Sequence, residues 1–191
     1  RILVFVILMC TVLSLALCGI AYWKMQEAIL NEIEKEVAQI ADSNISYINE
    51  WIDVRKDIMS SATQGTSQRD IVSILDQIKK SGDFVETYQG ESDRRMTKSS
   101  GAAAVPSGYD PTSREWYQSA AKTQEPIASK PYIGASSQRP MITFAQGLYS
   151  NGQLAAVVGG DVFLAQIIKE VASTKLPGNG DAFLITNAGE V

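Results

Sequence analysis

A short segment near the middle of the chain concentrates residue types that bind small polar molecules. Residues 108–117 read Gly-Tyr-Asp-Pro-Thr-Ser-Arg-Glu-Trp-Tyr and combine Arg114 with the aromatic residues Tyr109, Trp116 and Tyr117. A guanidinium pairs with a carboxylate through charge-assisted hydrogen bonds, and aromatic walls with a few polar tips are typical of small-molecule pockets. The segment therefore indicates a pocket for an anionic group. The same residues also fit a packed core in which Arg114 forms a salt bridge.

The local pattern predicts how Arg114 is held. Thr112 is a favourable N-cap residue, and Glu115, three positions later, completes a capping box, so we expect a helix that begins at Thr112. Arg114 then falls in the first turn, where the helix dipole disfavours a cation. A bound anion would be stabilised there by the guanidinium and by nearby backbone N–H groups. A purely structural role would therefore leave Arg114 at an electrostatically unfavourable position.

A ligand that carries both a carboxylate and an ammonium group also needs an acid, and Asp161 is the candidate. It follows the apolar run at residues 157–160, at the end of a predicted strand, where an inward-pointing carboxylate must have a partner. The two glycines that end this run would let a ligand or another backbone approach closely. The alternative is that Asp161 caps a helix that starts near Phe163. Tyr132, on an earlier predicted strand, adds a further candidate phenol.

The N-terminal residues predict a membrane anchor. Residues 2–22 carry no charge, and about 20 apolar residues span the hydrocarbon core of a bilayer as a helix. Tyr22 and Trp23 follow as interfacial aromatics. A cleaved signal peptide has a shorter apolar core and a small-residue cleavage site. We therefore expect a transmembrane helix over residues 1–23.

The next segment, residues 24–64, is predicted to form a long stalk helix. Apolar residues recur there mostly every three, four or seven positions, as one stripe on a helix: Leu30, Ile33, Val37, Ile40, Ile45, Ile48, Ile52 and Ile58. This stripe is expected to be packing surface. Its partner is either the same domain or a sister helix.

Residues 65–174 are predicted to form one α+β module with an antiparallel sheet. The patterns favour strands over 84–90, 94–99, 130–134, 141–149 and 153–162, and helices over 69–80, 112–122 and 163–174. The Asn-Gly pair at 151–152 is typical of a hairpin turn. Residues 175–191 read as a linker and the start of another module. Because the sequence starts with Arg1 and stops inside an apparent strand at Val191, we expect it to be part of a longer protein.

Composition argues against several functional classes. The chain has no histidine, and Cys10 and Cys18 both lie in the apolar N-terminal run. A Ser-His-Asp triad and a His-ligated metal site are therefore excluded, and a disulfide framework is not expected. Lys and Arg number 17 against 21 Asp and Glu, without a basic block that would suggest nucleic acid. We expect a protein that is not an enzyme, uses no cofactor or metal, and does not bind nucleic acid.

The order and spacing of the candidate residues resemble a known family. A Y-x4-R-x-W-Y pattern, a tyrosine on the next strand and an aspartate after Gly-Gly are similar to the amino-acid-binding double Cache (dCache, PAS-like) sensor domains of bacterial methyl-accepting chemotaxis proteins. The anchor, the long helix and the module agree with that resemblance, and residues from 181 onward resemble the start of a second, membrane-proximal Cache module. The matching positions are Tyr109, Arg114, Trp116, Tyr117, Tyr132 and Asp161.

The resemblance implies roles for these residues. Arg114 would bind the α-carboxylate of a small amino acid, assisted by Trp116 and Tyr109. Asp161 would accept hydrogen bonds from the α-ammonium, with Tyr117 and Tyr132 beside it. Many family members carry an acid two positions after the strand tyrosine, and here that position is Gly134.

The resemblance also implies the setting. The expected protein is a homodimeric receptor in the bacterial inner membrane, with its sensor in the periplasm or outside the cell. It would bind a small amino acid or related zwitterion and signal for chemotaxis to a cytoplasmic kinase and adaptor. The alternatives are the sensor of a histidine kinase or diguanylate cyclase, and a membrane-anchored structural domain that senses nothing.

Overall fold

The computed structural model describes residues 2–63 and 70–172. They fall into two compact units: the first contains residues 2–45, and the second contains 46–63 and 70–172. The predicted features at 65–69 and 175–191 lie outside the described residues.

Helix α1 (Ile2–Thr63) begins the chain. In the first unit its apolar side chains are exposed, which include Leu8, Leu13 and Ile20. Among the described residues, α1 is the one helix long and apolar enough to cross a membrane. The expectation of a long N-terminal apolar helix is therefore confirmed.

The second unit is an antiparallel sheet with flanking helices, which confirms the α+β class. The sheet order is β2-β1-β6-β5-β3, and β4 also pairs with β5. The helices are α2 (Ile71–Gly82), α3 (Glu115–Ala120) and α4 (Leu164–Ala172). The strands are β1 (Glu86–Glu91), β2 (Met96–Lys98), β3 (Ile127–Ala128), β4 (Tyr132–Ile133), β5 (Pro140–Ser150) and β6 (Gln153–Phe163).

The β5–β6 hairpin forms the middle of the sheet. Asn151 and Gly152 join its two strands with φ angles of 53° and 77°, the positive values that a two-residue hairpin turn requires. Both strands alternate between two faces of the sheet, because successive side chains on a strand point in opposite directions. One face packs on α1 and α2, and the opposite face carries α3 and the candidate site.

The helix-packed face forms the larger apolar core. Its buried members are Met59, Ile74, Leu75, Ile78, Phe84, Phe144, Val158 and Val162. From α1, Trp51, Ile52 and Ile58 pack against this cluster, and the Trp51 ring meets Phe144 edge-on with centroids 5.8 Å apart. The C-terminal part of the predicted apolar stripe is therefore packing surface for its own domain.

The predicted helix start at Thr112 is wrong. Residues Pro111–Ser113 form a separate 3₁₀ turn that Asp110 caps, because the Asp110 carboxylate accepts a hydrogen bond from the Thr112 backbone N–H at 2.9 Å. Proline at the first position of this turn fixes a φ that suits it. Helix α3 then starts at Glu115, and Arg114 is its extended N-cap residue with φ −84° and ψ 146°.

Strand lengths differ from the expectation at the sheet edges. The strand predicted over 94–99 is shortened to Met96–Lys98, because a turn with Arg94 at φ 73° occupies its start. The strand predicted over 130–134 is reduced to Tyr132–Ile133, and the unpredicted two-residue β3 precedes it. Such short strands depend on pairing with β5 and carry little periodic signal of their own.

Candidate functional site

A cavity of about 230 Å³ lies over the face of the sheet opposite the helical core. Its floor comes from β1, β2, β5 and β6, and its rim from the loops at 103–109 and 134–137. The lining residues are Val85, Glu86, Tyr88, Met96, Lys98, Ala103, Val105, Pro106, Tyr109, Tyr132, Gly134, Ala135, Ser136, Ser137, Met141, Asp161 and Phe163. Three of the six predicted site residues are among them.

Strand register positions Asp161. It lies directly opposite Glu86 on β1 and Thr143 on β5, so the three side chains share one face of the sheet. Asp161 is only 7% exposed, and its Oδ1 accepts hydrogen bonds from Tyr88 Oη at 2.6 Å and Thr143 Oγ1 at 2.7 Å. The helix-cap alternative is wrong, because β6 continues past Asp161 and α4 begins only at Leu164.

Two hydroxyl groups, those of Tyr88 and Thr143, donate their protons to Asp161. Thr143 has one hydroxyl proton, which it donates to Asp161, so the 2.7 Å contact between Tyr132 Oη and Thr143 Oγ1 has Tyr132 as the donor. Tyr88 also donates to Asp161. Asp161 Oδ2 accepts no hydrogen bond from any residue within the described ranges. This corner of the cavity therefore presents oxygen lone pairs, which suit a ligand that donates protons.

Burial controls the ionisation of this cluster. It raises the pKa of Asp161 to about 6, although the hydrogen bonds from Thr143 and Tyr88 oppose the rise. Burial, with the charge of Asp161, also raises the pKa of Tyr132 to about 12 and that of Tyr88 well above its usual value. At neutral pH the carboxylate is therefore mostly ionised and both phenols keep their protons.

Arg114 supplies a positive charge near the same cavity. Its guanidinium carbon lies 5.6 Å from the ring centroid of Tyr109 and 6.0 Å from that of Tyr132, and both rings line the cavity. Burial raises the pKa of Tyr109, while hydrogen bonding from Trp116 and the charge of Arg114 oppose that rise. No salt bridge joins Arg114 to a carboxylate of residues 2–63 or 70–172, so the salt-bridge alternative is not what the structure contains.

Trp116 and Tyr117 pack beside the cavity, on the same face of the sheet. They are 1% and 5% exposed and belong to a second apolar cluster with Tyr88, Ala120, Ala145 and Val157. The Trp116 ring is 5.0 Å from that of Tyr88 and 5.7 Å from that of Tyr117, and it also acts on the Tyr109 phenol. Neither residue is among those lining the cavity, and a direct ligand contact for either stays a prediction.

Two glycines on the central strands allow this packing. A Cβ on Gly90 would lie 2.9 Å from Pro111 and 3.1 Å from Trp116, and a Cβ on Gly159 would overlap the Tyr88 ring. Since real Cβ atoms avoid such distances, the start of α3 and the Tyr88 side chain can sit this close only over glycine. The predicted close approach at Gly159 is therefore made by an aromatic side chain of the protein.

Four residues outside the six predicted positions shape the site. Tyr88 and Thr143 organise Asp161, while Glu86 and Lys98 form an ion pair at 2.7 Å that lines the cavity. Each of the four is a polar residue at a strand position whose side chain faces into the domain. A polar residue at such a position needs a partner, and this was the sequence signal that could have indicated a site residue.

The sequence family that matches the chain agrees with this architecture. Residues 56–169 match the family described as methyl-accepting chemotaxis protein-like, first PDC sensor domain. The chain belongs to this family. The predicted resemblance to chemoreceptor sensor domains is thereby confirmed.

Curated relatives are bacterial chemotaxis proteins. The chain is 31% identical over 172 residues to methyl-accepting chemotaxis protein McpA of Pseudomonas putida, covering 87% of the chain and 26% of that relative. It is 25% identical over 168 residues to PctB of Pseudomonas aeruginosa, covering 86% of the chain and 27% of that relative. The chain thus spans about a quarter of the length of these relatives.

Solved structures share the fold. The ligand-binding domain of the Pseudomonas fluorescens chemoreceptor CtaA with L-serine superposes with a TM-score of 0.73 at 26% identity, over 83% of this chain and 70% of that chain. The domain of the Pseudomonas aeruginosa amino acid chemoreceptor PctC with GABA gives a TM-score of 0.68 at 28% identity, over 81% and 71%. The predicted PAS-like sensor fold is confirmed.

Within residues 2–63 and 70–172, no group of three or more His, Cys, Asp or Glu side chains is arranged to hold a metal ion. The polar groups of the cavity are instead phenols, hydroxyls, carboxylates and an ammonium. They are suited to hydrogen bonding with an organic ligand.

Proposed function

We propose that the cavity binds a small α-amino acid or related zwitterion. One observation supports the proposal: an Arg114 guanidinium without a carboxylate partner in the described chain lies beside the rings of Tyr109 and Tyr132, and these rings line the same cavity as Asp161. Tyr132 links Arg114 to Asp161: its ring faces Arg114, and its hydroxyl donates a hydrogen bond to Thr143, which in turn donates to Asp161.

The two ends suit opposite charges. A ligand carboxylate would pair with Arg114, with Tyr109 and Trp116 beside it. A ligand ammonium would donate to Asp161 Oδ2 and to the phenol oxygen of Tyr132. Each unpaired charge in such a site costs several kcal/mol, so the arrangement discriminates against amines and carboxylic acids that lack the other group.

The receptor setting is the second part of the proposal. The chain acts as the extracytoplasmic sensor region of a transmembrane chemoreceptor in the bacterial inner membrane, with α1 as the anchor. It works as a homodimer and passes its signal to a cytoplasmic kinase and adaptor, and it catalyses no reaction. Family membership and the apolar segment of α1 support this setting, and the same sensor could drive a histidine kinase or a diguanylate cyclase.

Isothermal titration of the whole chain in detergent against L-alanine and the other common amino acids tests the binding proposal. We expect saturable binding of at least one amino acid that Arg114→Ala and Asp161→Asn each weaken at least about a hundredfold, as removal of one partner of a buried charge pair does. Arg95→Ala and Asp93→Asn are matched controls, because that ion pair is exposed on the β1–β2 turn. Binding that survives both site substitutions rules out the proposed site.

A further inference from the structure

One wall of the cavity is an ion pair that the zwitterion-binding groups do not use. Lys98 Nζ lies 2.7 Å from Glu86 Oε2, and the two side chains are only 10% and 22% exposed. Both line the cavity. A partly buried ion pair is less screened by solvent than an exposed one, so its charges act on whatever the cavity holds.

The pair also holds the rim of the cavity. Glu86 Oε1 accepts a hydrogen bond from the Ala103 backbone N–H at 3.1 Å, and Lys98 Nζ donates to the Ala103 carbonyl at 2.8 Å. An ammonium has three donors, so one N–H of Lys98 has no partner within the described ranges. The Glu86 oxygens keep lone pairs as well. The pair can therefore offer both a donor and an acceptor to a ligand.

The sheet places this pair on the far side of Asp161 from the arginine end. Glu86 is on β1 and Tyr132 is on β4, which pairs with β5, and β6 with Asp161 lies between β1 and β5. A ligand whose carboxylate faces Arg114 and whose ammonium meets Asp161 extends its side chain away from Tyr132. That direction leads to Glu86 and Lys98.

We propose that the Glu86–Lys98 ion pair is the side-chain subsite of the cavity and selects α-amino acids with uncharged side chains that can both donate and accept hydrogen bonds, such as a carboxamide. This inference rests on the proposed zwitterion binding. A carboxamide can accept from Lys98 and donate to Glu86 without separating them. An anionic side chain meets the Glu86 carboxylate and a cationic one meets the Lys98 ammonium, so each must disturb a partly buried ion pair to bind.

Titration of the whole chain in detergent with L-alanine, L-glutamine, L-glutamate and L-lysine tests the subsite. For the natural sequence we expect L-glutamine to bind at least about tenfold more tightly than L-glutamate or L-lysine. Glu86→Gln should raise the affinity for L-glutamate relative to L-glutamine at least about tenfold, and Lys98→Met should do the same for L-lysine. L-alanine does not reach the pair and reports zwitterion binding alone.

Retained binding of L-alanine in each single variant guards against a folding defect, because L-alanine does not reach the pair. Wild-type binding of L-glutamate or L-lysine as tight as that of L-glutamine overturns the subsite. So does an equal loss of all four ligands in both single variants, which would mean that the pair only anchors the loop at Ala103. If the natural sequence binds none of these amino acids, L-alanine included, the zwitterion site itself is refuted.

Discussion

The sharpest test of the site is the substitution Thr143→Val. Thr143 is fully buried, donates to Asp161 at 2.7 Å and accepts from Tyr132 at 2.7 Å. Valine keeps the β-branched shape that suits a strand and removes only the hydroxyl. The substitution therefore cuts the link between Tyr132 and the carboxylate while leaving the sheet in place.

The magnitude follows from the environment of Asp161. Its pKa of about 6, against 3.8 for the free side chain, corresponds to about 3 kcal/mol of cost for ionising it in place. A hydrogen bond to a charged group contributes about 1.5–3 kcal/mol, so its loss should raise the pKa of Asp161 by about one unit or more. Protonated Asp161 cannot pair with an ammonium. A shift of its pKa from about 6 to about 7 halves the ionised fraction at pH 7, so binding of L-alanine should weaken about twofold at pH 7 and about tenfold at pH 5.

The assay is titration of L-alanine from pH 5 to pH 8.5. For the natural sequence, affinity should be full above pH 6 and fall below it, because the pKa of Asp161 is raised and its ionised form persists only at higher pH. Thr143→Val should move this midpoint upward by about one unit, with affinity recovering toward pH 8.5. Thr143→Ser retains the hydroxyl and should restore the natural profile.

A uniform loss of affinity at every pH would refute the reasoning, because it would mean that Thr143 acts through shape and not through the charge of Asp161. An unchanged midpoint with unchanged affinity would refute it as well.

Three further predictions concern the supporting structure and are checked by unfolding, with titration where stated. Gly159→Ala should destabilise the fold by about 1–3 kcal/mol in chemical denaturation, since the new Cβ overlaps the Tyr88 ring; unchanged stability would show that Tyr88 yields freely. Asp110→Ala removes the cap of the 3₁₀ turn. It should lower the free energy of unfolding by about 1 kcal/mol and weaken L-alanine binding by displacing Arg114. Unchanged affinity would show that the turn does not position Arg114 for binding. Without ligand, the free energy of unfolding should fall by up to about 3 kcal/mol between pH 4 and pH 6 from Asp161 alone, because a raised folded-state pKa favours the protonated form; Asp161→Asn should flatten that slope.

Local patterns were enough to predict the β5–β6 hairpin. Alternating apolar residues and an Asn-Gly pair specify that hairpin without help from distant parts of the chain. The helix start before Arg114 was predicted wrongly because two cap signals compete within three residues. Asp110, which is followed by proline, accepts a hydrogen bond from the Thr112 N–H, and a 3₁₀ turn forms before α3 begins.

The partners of Asp161 could not be read from such local patterns. Tyr88 is 73 positions away from it, and the two meet only because β1 pairs with β6 in one register. A shift of that register by one residue would turn Tyr88 and Glu86 to the other face. Candidate residues such as Asp161 could therefore be proposed from their own segments, while the side chains that strand pairing brings to them could not.

Strand β5 connects the cavity to α1 by adjacent residues. Thr143 points into the cavity and bonds Asp161, whereas Phe144 points to the other face and meets Trp51 of α1 edge-on. Trp51 in turn lies under the Arg55 guanidinium, with the guanidinium carbon 3.4 Å from its ring centroid. Because packed aromatic side chains have few alternative arrangements, any displacement of Thr143 on β5 would reach α1 through the adjacent Phe144–Trp51 contact. Strand β5 thus contributes both to the binding cluster and to a direct contact with α1 within this unit.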